Sequence, residues 1–231
     1  GSPRWRPTDL GASWVRRSRR RRGAPLGGKR GKSFDKAPRP VVVLAVEGAT
    51  EREYLKALNQ WRYRGAFAFD FCRNRDKSSL KNLIVSIKRK TADVGCDGAA
   101  GAWIVCDVDD NAPHIHDLEN WLAGVSGCRR AVALSNPCIE AWFVYHCSDT
   151  CVSKEASSVL KELERQWVQG AYVKGMGILD WLIERTDQAC ARVKQRRKSF
   201  QHGATAWDSG PWSDMPELVA WLDQLVARSP T

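Results

Sequence analysis

Short apolar runs and helix-like stretches alternate over the middle of the chain. Residues 41–46 form a continuous, mostly β-branched run, and further strand-like runs follow at 66–71, 102–106 and 131–134. Runs of this length and composition are typical of strands that are buried on both faces of a sheet. Between them, apolar residues recur every three or four positions, as they do over 80–87, and this period predicts amphipathic helices.

The order of these elements predicts an α/β fold. A strand followed by a helix, repeated through four strands, is the pattern of a Rossmann-like, four-stranded parallel sheet with helices on both faces. After about residue 151 the apolar residues recur only at helical spacing, so we expect a C-terminal helical extension. The pattern divides the chain into an N-terminal arm at 1–39, an α/β domain at 40–150 and a helical extension packed on it at 151–231.

The excess positive charge of the chain is confined to the arm. The full sequence has a formal net charge of +11, and residues 1–40 hold 13 Lys and Arg against 2 Asp and Glu, so that the remainder is formally neutral. A segment of this composition cannot bury a core, and we expect it to be disordered. It is suited to binding nucleic-acid phosphates through counterion release, and the alternative is a solubilising tail.

Apolar run length and cysteine spacing exclude several classes of protein. No apolar run approaches the roughly 20 residues of a membrane-spanning helix, and the Arg-rich start lacks the apolar segment of a secretory signal. The eight cysteines include no Cys-x-x-Cys pair, which argues against a zinc site and a disulfide framework. We therefore expect a cytoplasmic protein that does not engage a membrane.

Acidic residues follow three of the four predicted strands. They are Glu47 and Glu51 after the first, Asp107 and Asp109 after the third, and Glu140 after the fourth. Function in an open parallel sheet is found at the carboxyl ends of the strands, so these side chains converge if the strands are neighbours. Converging carboxylates repel one another unless a hard divalent cation neutralises them. All-oxygen ligation selects Mg²⁺ or Mn²⁺ over zinc.

Each acidic motif taken alone also has a structural explanation. Thr50 and Glu53 have the spacing of a helix capping box, which places Glu51 in a first turn where it complements the helix dipole. Asp107 and Asp109 are two residues apart, so they share one face if the strand continues through both. The joint placement of the acidic residues at consecutive strand ends is what favours a metal site.

Three segments together resemble a known family. They are Val-Glu-Gly-Ala-Thr-Glu at 46–51, Asp-Val-Asp at 107–109 and Ser-Asn-Pro-Cys-Ile-Glu-Ala-Trp-Phe at 135–143. In this combination they resemble the RloB-like family, which is itself similar to the Toprim superfamily. The third segment is the most specific, because Toprim proteins in general share the first two. The similarity covers roughly residues 41–147, is weaker over the helical extension, and gives the arm no counterpart.

The resemblance implies a Toprim-like catalytic domain at 40–150 and an Mg²⁺-dependent nuclease, with Mn²⁺ as an alternative cofactor. Such a protein hydrolyses phosphodiester bonds of DNA or RNA as an effector of bacterial antiviral or abortive-infection defence. Toprim proteins bind Mg²⁺ through a Glu after the first strand and an Asp-x-Asp after the third, which assigns Glu47, Asp107 and Asp109 as catalytic and metal-binding residues. Nucleases that resemble the overcoming-lysogenization-defect proteins use further acidic residues for a second metal, and Glu51 and Glu140 are the candidates here.

Substrate contacts are expected from polar residues at the same edge of the sheet. Arg73, Arg75 and Lys77 follow the second predicted strand, and Ser135 and Asn136 end the fourth. Cations at this position are able to hold the phosphates of a nucleic acid. For the three basic residues, a solvated run of charge is an equally good interpretation.

A second function remains open from the sequence. The resemblance implies a neighbouring AAA-type ATPase, and the alternative to a nuclease is a non-catalytic regulatory subunit that keeps the Toprim scaffold and binds that ATPase. The many Trp and Leu residues of the C-terminal helices predict a subunit or partner interface, either with the ATPase or in a homo-oligomer. A Rossmann-like nucleotide binder is disfavoured, because no Gly-x-Gly-x-x-Gly follows a strand.

Overall fold

Five strands and eight α-helices account for most of the described residues. The computed structural model describes residues 39–73, 79–94, 98–124, 127–167, 171–174, 180–198 and 210–228. The strands are β1 Val41–Val46, β2 Ala68–Phe71, β3 Gly101–Asp107, β4 Arg130–Asn136 and β5 Trp212–Ser213. The α-helices are α1 Ala49–Ala57, α2 Leu80–Val94, α3 Ile115–Ala123, α4 Ile139–Cys147, α5 Ala156–Gln166, α6 Asp180–Glu184, α7 Thr186–Lys198 and α8 Met215–Arg228. The expected basic arm, apart from its last residue, lies outside the described ranges.

The strands form one mixed sheet in the order β2-β1-β3-β4-β5. The four long strands are parallel, as the sequence predicts, and the register pairs Val46 with Val105 and Asp107 with Ser135. The carboxyl ends of β1, β3 and β4 therefore lie side by side at one edge of the sheet, which we call the carboxyl edge. This is the edge where open α/β sheets place their sites.

Helices cover both faces of the sheet, which confirms the predicted layering. Val42, Leu44 and Val46 of β1 contact one apolar cluster, which includes residues of α1, α4 and the C-terminal helices. Val43 and Ala45 contact the other, which includes residues of α2 and α3. Because successive side chains of a strand point to opposite faces, an unbroken apolar run is what a strand covered on both sides requires.

The C-terminal helices share the core of the α/β domain. Trp221 of α8 packs against Trp103 of β3, with ring centroids 5.5 Å apart. A Cβ atom at Gly101 would lie only 2.7 Å from the Trp221 ring, so the strand needs glycine where the indole crosses it. Trp167 and Trp212 are buried as well, so these indoles of the extension belong to the protein's own core.

The sequence predicted four strands and missed the fifth. β5 comprises only Trp212 and Ser213 and pairs antiparallel with the end of β4. Two residues are too few to show the alternation that predicts a strand from sequence. No helix in the described ranges is long and apolar enough to cross a membrane.

Candidate active site

The N-terminal cap of α1 places the Glu51 carboxylate at the carboxyl edge. The sequence predicted a cap at Thr50 with Glu53, and this is wrong: the helix begins at Ala49, with Gly48 as the N-cap. The backbone N–H of Gly48 donates to Glu51 Oε2 at 3.1 Å, so the residue that closes the first turn is Glu51. A glutamate in this position satisfies one of the free N–H groups of the helix end.

Glu47 is held between β1 and β3. Its own N–H donates to the carbonyl of Val105 at 3.1 Å, which continues the sheet by one residue. Its Oε2 accepts hydrogen bonds from the backbone N–H of Asp107 at 3.1 Å and from the Asn111 amide at 2.9 Å. The ends of the first and third strands thus meet through the Glu47 carboxylate.

Asn111 joins three parts of the site. Besides Glu47, its Nδ2 also donates to the backbone carbonyl of Asp107 at 3.0 Å. Its Oδ1 accepts from the N–H of Leu80 at 3.2 Å, at the first residue of α2. The side chain is buried, and all three bonds are therefore shielded from competing water.

Four carboxylates form an acidic cluster at the carboxyl edge: Glu47, Glu51, Asp107 and Glu140. Burial raises the pKa of Glu51 to about 7, and repulsion from Glu47 and Glu140 adds to the rise. Burial also raises the pKa of Asp107 well above its usual range, with Glu51, Glu47 and Glu140 all contributing. In Glu51 and Asp107, burial and the neighbouring acidic groups thus both disfavour the charged form.

Glu140 is contacted by a segment distant in the chain. It lies in the first turn of α4, and its side chain is only 1 % exposed. Its Oε1 accepts a hydrogen bond from the Tyr172 hydroxyl at 3.0 Å and lies 3.2 Å from Lys174 Nζ. Although burial lowers the pKa of Lys174, attraction to Glu140 outweighs this and raises it, so the ammonium supplies a fixed positive charge to the cluster.

Two oxygens of the cluster are buried without a hydrogen bond inside the described protein. They are Asp107 Oδ1 and Glu140 Oε2. A buried acceptor that lacks a partner costs about 1–3 kcal/mol, more if it is charged. Such oxygens are therefore the ones expected to face a ligand or an ion. Among the described residues, however, no three His, Cys, Asp or Glu side chains are placed closely enough to hold a metal ion as they stand.

Asp109 lies beyond the end of β3. The sequence argument placed Asp107 and Asp109 on one face of an extended strand, but β3 ends at Asp107 and Val108 already has helical backbone angles. Asp109 then opens a 3-10 helix at Asp109–His114, and its side chain is exposed. The change of backbone at Val108 removes the alternation on which the argument depended.

The predicted substrate-binding residues of β4 are engaged within the fold. The Ser135 and Ser213 hydroxyls are 2.9 Å apart and hydrogen-bonded, and the Asn136 amide donates to the Gly210 carbonyl at 3.2 Å. Both side chains are buried, and the Ser135 hydroxyl links β4 to β5. Of the predicted basic contacts, Arg73 is exposed just after β2, while Arg75 and Lys77 lie outside the described residues.

Sequence reasoning missed Asn111, Tyr172 and Lys174. None of them belongs to a local motif, and Tyr172 meets Glu140 across 32 positions of the chain. The only local signal was the proximity of Asn111 to the Asp-x-Asp segment, and a lone Asn in a loop is more often a turn residue.

Comparison with known proteins gives one match. The family model described as RloB-like protein matches residues 42–222, which span the sheet, the acidic cluster and most of the helical extension. Searches of the curated proteins and of the solved structures returned no match.

Proposed function

We propose, since this chain belongs to the RloB-like protein family, that it is a metal-dependent nuclease that hydrolyses phosphodiester bonds of DNA or RNA. We further propose that it acts as an effector in bacterial antiviral or abortive-infection defence. The observation that carries the catalytic proposal is the pair of unpartnered buried oxygens, Asp107 Oδ1 and Glu140 Oε2, inside a cluster of four mutually repelling carboxylates. Burying carboxylate oxygens without a partner lowers the free energy of unfolding. A non-catalytic protein would gain nothing in return.

The donor set fits Mg²⁺ or Mn²⁺. The cluster presents only oxygen ligands, which these hard cations prefer. Glu47, Glu51, Asp107 and Glu140 would hold the metal, with Asp109 available beyond the end of β3. These side chains would have to turn toward a common point to do so, because no three of the described ligands converge now. A bound divalent cation lowers the pKa of a coordinated water and stabilises the charge of the reacting phosphate.

Three side chains of the protein would have further roles in the proposed reaction. Glu51, whose pKa burial raises to about 7 in the absence of metal, would release its proton when a cation binds, because a carboxylate ligand has to be deprotonated. Asn111 fixes the orientation of the Glu47 carboxylate. Lys174 places a positive charge beside Glu140. This charge would offset the repulsion between the carboxylates and an incoming phosphate.

The test is a cleavage assay on plasmid, single-stranded DNA and tRNA with Mg²⁺, Mn²⁺ or EDTA. We expect wild-type protein to cleave at least one substrate with metal and none with EDTA. Asp107→Asn and Glu47→Gln should each lower the rate at least about 100-fold, as expected when a group that stabilises the transition state is removed. Glu119→Gln, which neutralises an exposed carboxylate of α3, is the matched control and should cleave like wild type. Equal rates in all four proteins would assign the activity to a contaminant.

The alternative is a non-catalytic regulatory subunit that keeps the same scaffold and binds an AAA-type ATPase. One observation favours it: no described group of ligands is ready to hold a metal. In that case no metal would promote cleavage, and Asp107→Asn would leave complex formation with the ATPase unchanged. Analytical ultracentrifugation of the protein alone and with the purified ATPase separates this function from catalysis.

A further inference from the structure

A basic surface lies beside the carboxyl edge, separated from the acidic cluster by the ends of β4 and β5. Its four members are Lys154, which follows α4, and Arg196, Arg197 and Lys198, which form the end of α7. We call these four residues the basic patch. The end of α7 packs against β5, so the position of the patch is set by the short strand that the sequence did not predict.

The sheet register places Trp212, which Arg197 of the patch contacts, two strands from Asp107. Asp107 pairs with Ser135 across β3 and β4, and Asn136 pairs with Trp212 across β4 and β5. Neighbouring strands are about 4.8 Å apart, so Trp212 lies two strands, or about 10 Å, from Asp107. The Arg197 guanidinium lies over the Trp212 ring, 5.2 Å from its centroid.

Arg196 and Lys154 come together at Gly210. This glycine has a φ of +90°, and a Cβ atom there would meet Arg196 Nη2 at 3.1 Å and Lys154 Cε at 3.9 Å. The Gly210 carbonyl accepts the hydrogen bond from Asn136, which ties this pair of cations to the end of β4. Arg196 also lines a cavity of about 650 Å³ together with Thr150 and Val152, so the surface beside the patch is concave.

The charge of the patch is not explained by helix stability alone. Cations at the end of α7 interact favourably with the helix dipole, but Lys154 belongs to another segment and still reaches the same place. Arg197 is paired with Asp214. Lys154 and Lys198 are exposed. Four cations from two segments are thus gathered around one short strand, in a chain whose residues after the arm are formally neutral.

We propose that the basic patch binds the phosphodiester backbone of a nucleic acid and leads it across β5 to the acidic cluster. The inference rests on the proposed nuclease function and adds the path of its substrate. Consecutive phosphates of one strand of B-DNA are about 3.4 Å apart along the helix axis. The roughly 10 Å between the backbones of Trp212 and Asp107 corresponds to about three nucleotides, and the patch contacts the Trp212 end of that span. The patch therefore holds phosphates a few nucleotides from the bond that is cut.

The test compares two triple variants of the full chain. The patch variant is Lys154→Gln/Arg196→Gln/Lys198→Gln, which leaves Arg197 in place because its ion pair with Asp214 supports β5. The control variant is Lys88→Gln/Arg89→Gln/Arg129→Gln, which removes the same charge from exposed residues of α2 and from the residue before β4. The basic arm is present in all three proteins, so its contribution to binding is common to them.

Binding of a labelled duplex and a labelled single strand is measured in EDTA over a series of NaCl concentrations. We expect the patch variant to bind about tenfold or more weakly at 0.1 M salt, and its slope of log affinity against log salt to fall by roughly 2–3, since each phosphate contact contributes about 0.7–0.9. The control variant should keep the wild-type slope. Wild-type binding by the patch variant, or equal weakening in both triple variants, overturns the proposal. If the patch variant melts early, Lys154→Gln/Lys198→Gln replaces it, with an expected loss of slope of roughly 1–2.

The two proposals fail in different ways. In one case the patch variant binds more weakly and with a smaller salt dependence, but the wild type cleaves nothing in Mg²⁺ or Mn²⁺. The basic patch then binds nucleic acid and the proposed nuclease function is wrong. In the other case the wild type cleaves, and the patch variant has the same KM as the control variant. The nuclease function is then supported and the proposed path of the substrate is wrong.

Discussion

Glu47 at the end of β1 is oriented by Asn111, which lies 64 positions further along the chain. The Asn111 amide donates to Glu47 Oε2 at 2.9 Å and to the Asp107 carbonyl at 3.0 Å. One buried side chain thereby sets the position of the first carboxylate relative to the strand that carries the second. The same residue accepts the N–H of Leu80, so the start of α2 is fixed to the acidic cluster.

Asn111→Ala should damage both stability and the proposed cleavage. The change leaves the partly buried carboxylate of Glu47 with one donor fewer, and a hydrogen bond to a charged group is worth about 1.5–3 kcal/mol. We expect the free energy of unfolding in urea to fall by roughly this amount. We also expect the cleavage rate of the folded protein to fall about 10- to 100-fold, because the orientation of Glu47 is lost.

Asn59→Ala is the matched control for this prediction. The Asn59 amide donates to the Phe67 carbonyl at 3.0 Å, in the loop that leads to β2. Its removal should lower stability and leave the cleavage rate of folded protein within about twofold of wild type. If both variants lose activity only in proportion to their loss of stability, Asn111 has no positioning role.

The sheet and the acidic strand ends were predictable because their signals are local. Each long strand is a run of apolar residues, and Glu47 and Asp107 come directly at or after the end of such a run. The contacts that complete the site are not local. Lys174 meets Glu140 through the tertiary fold, and β5 is too short to carry a pattern. Asp109 was misplaced because β3 ends at Asp107, two residues before the point to which an extended strand would have had to continue.

Divalent metal should stabilise the wild-type protein. Repulsion among the four carboxylates opposes folding. An ion that binds only the folded state increases the free energy of unfolding, and the increase grows with the ion concentration relative to the Kd. We expect a rise in Tm with millimolar Mg²⁺ or Mn²⁺. Asp107→Asn should be as stable as wild type without metal, or more stable, because it removes both a ligand and part of the repulsion, and it should show no metal-induced rise. Thermal melts of both proteins with and without metal decide this, and a flat response of the wild type would exclude the metal site.

Lys174→Met should make the cluster more responsive to metal. The Lys174 side chain is 58 % exposed, so the loss of its ion pair should lower the free energy of unfolding by less than about 1 kcal/mol. The variant keeps the hydrogen bond from Tyr172 to Glu140, but the negative charge of Glu140 is less compensated. We therefore expect a larger rise in Tm on adding Mg²⁺ than in wild type. Lys161→Met, at an exposed position of α5, should respond like wild type, and a smaller rise in Lys174→Met than in this control contradicts the prediction.

His146 should make the fold sensitive to mild acid. Its ring is 1 % exposed and is packed among Tyr54, Trp142 and Phe143. Its Nδ1 donates to the Trp142 carbonyl at 2.9 Å, and burial lowers its pKa to about 3, with repulsion from Arg192 and Arg185 contributing. The imidazole is therefore neutral in the folded protein over the whole range in which it would become protonated in the unfolded chain.

The pH dependence of unfolding tests this directly. Between the unfolded pKa of about 6.5 and the folded pKa of about 3, the unfolded chain binds one more proton at this residue, so stability falls as the pH falls, by about 1.4 kcal/mol per pH unit. The variant His146→Gln lacks this contribution. Although it should be less stable at pH 7.5, its free energy of unfolding in urea should decline less steeply than that of wild type between pH 5.5 and 4.5. His116→Gln, which changes an exposed histidine of α3, should keep the wild-type slope. Parallel curves for wild type and His146→Gln would mean that the buried ring becomes protonated without unfolding the protein.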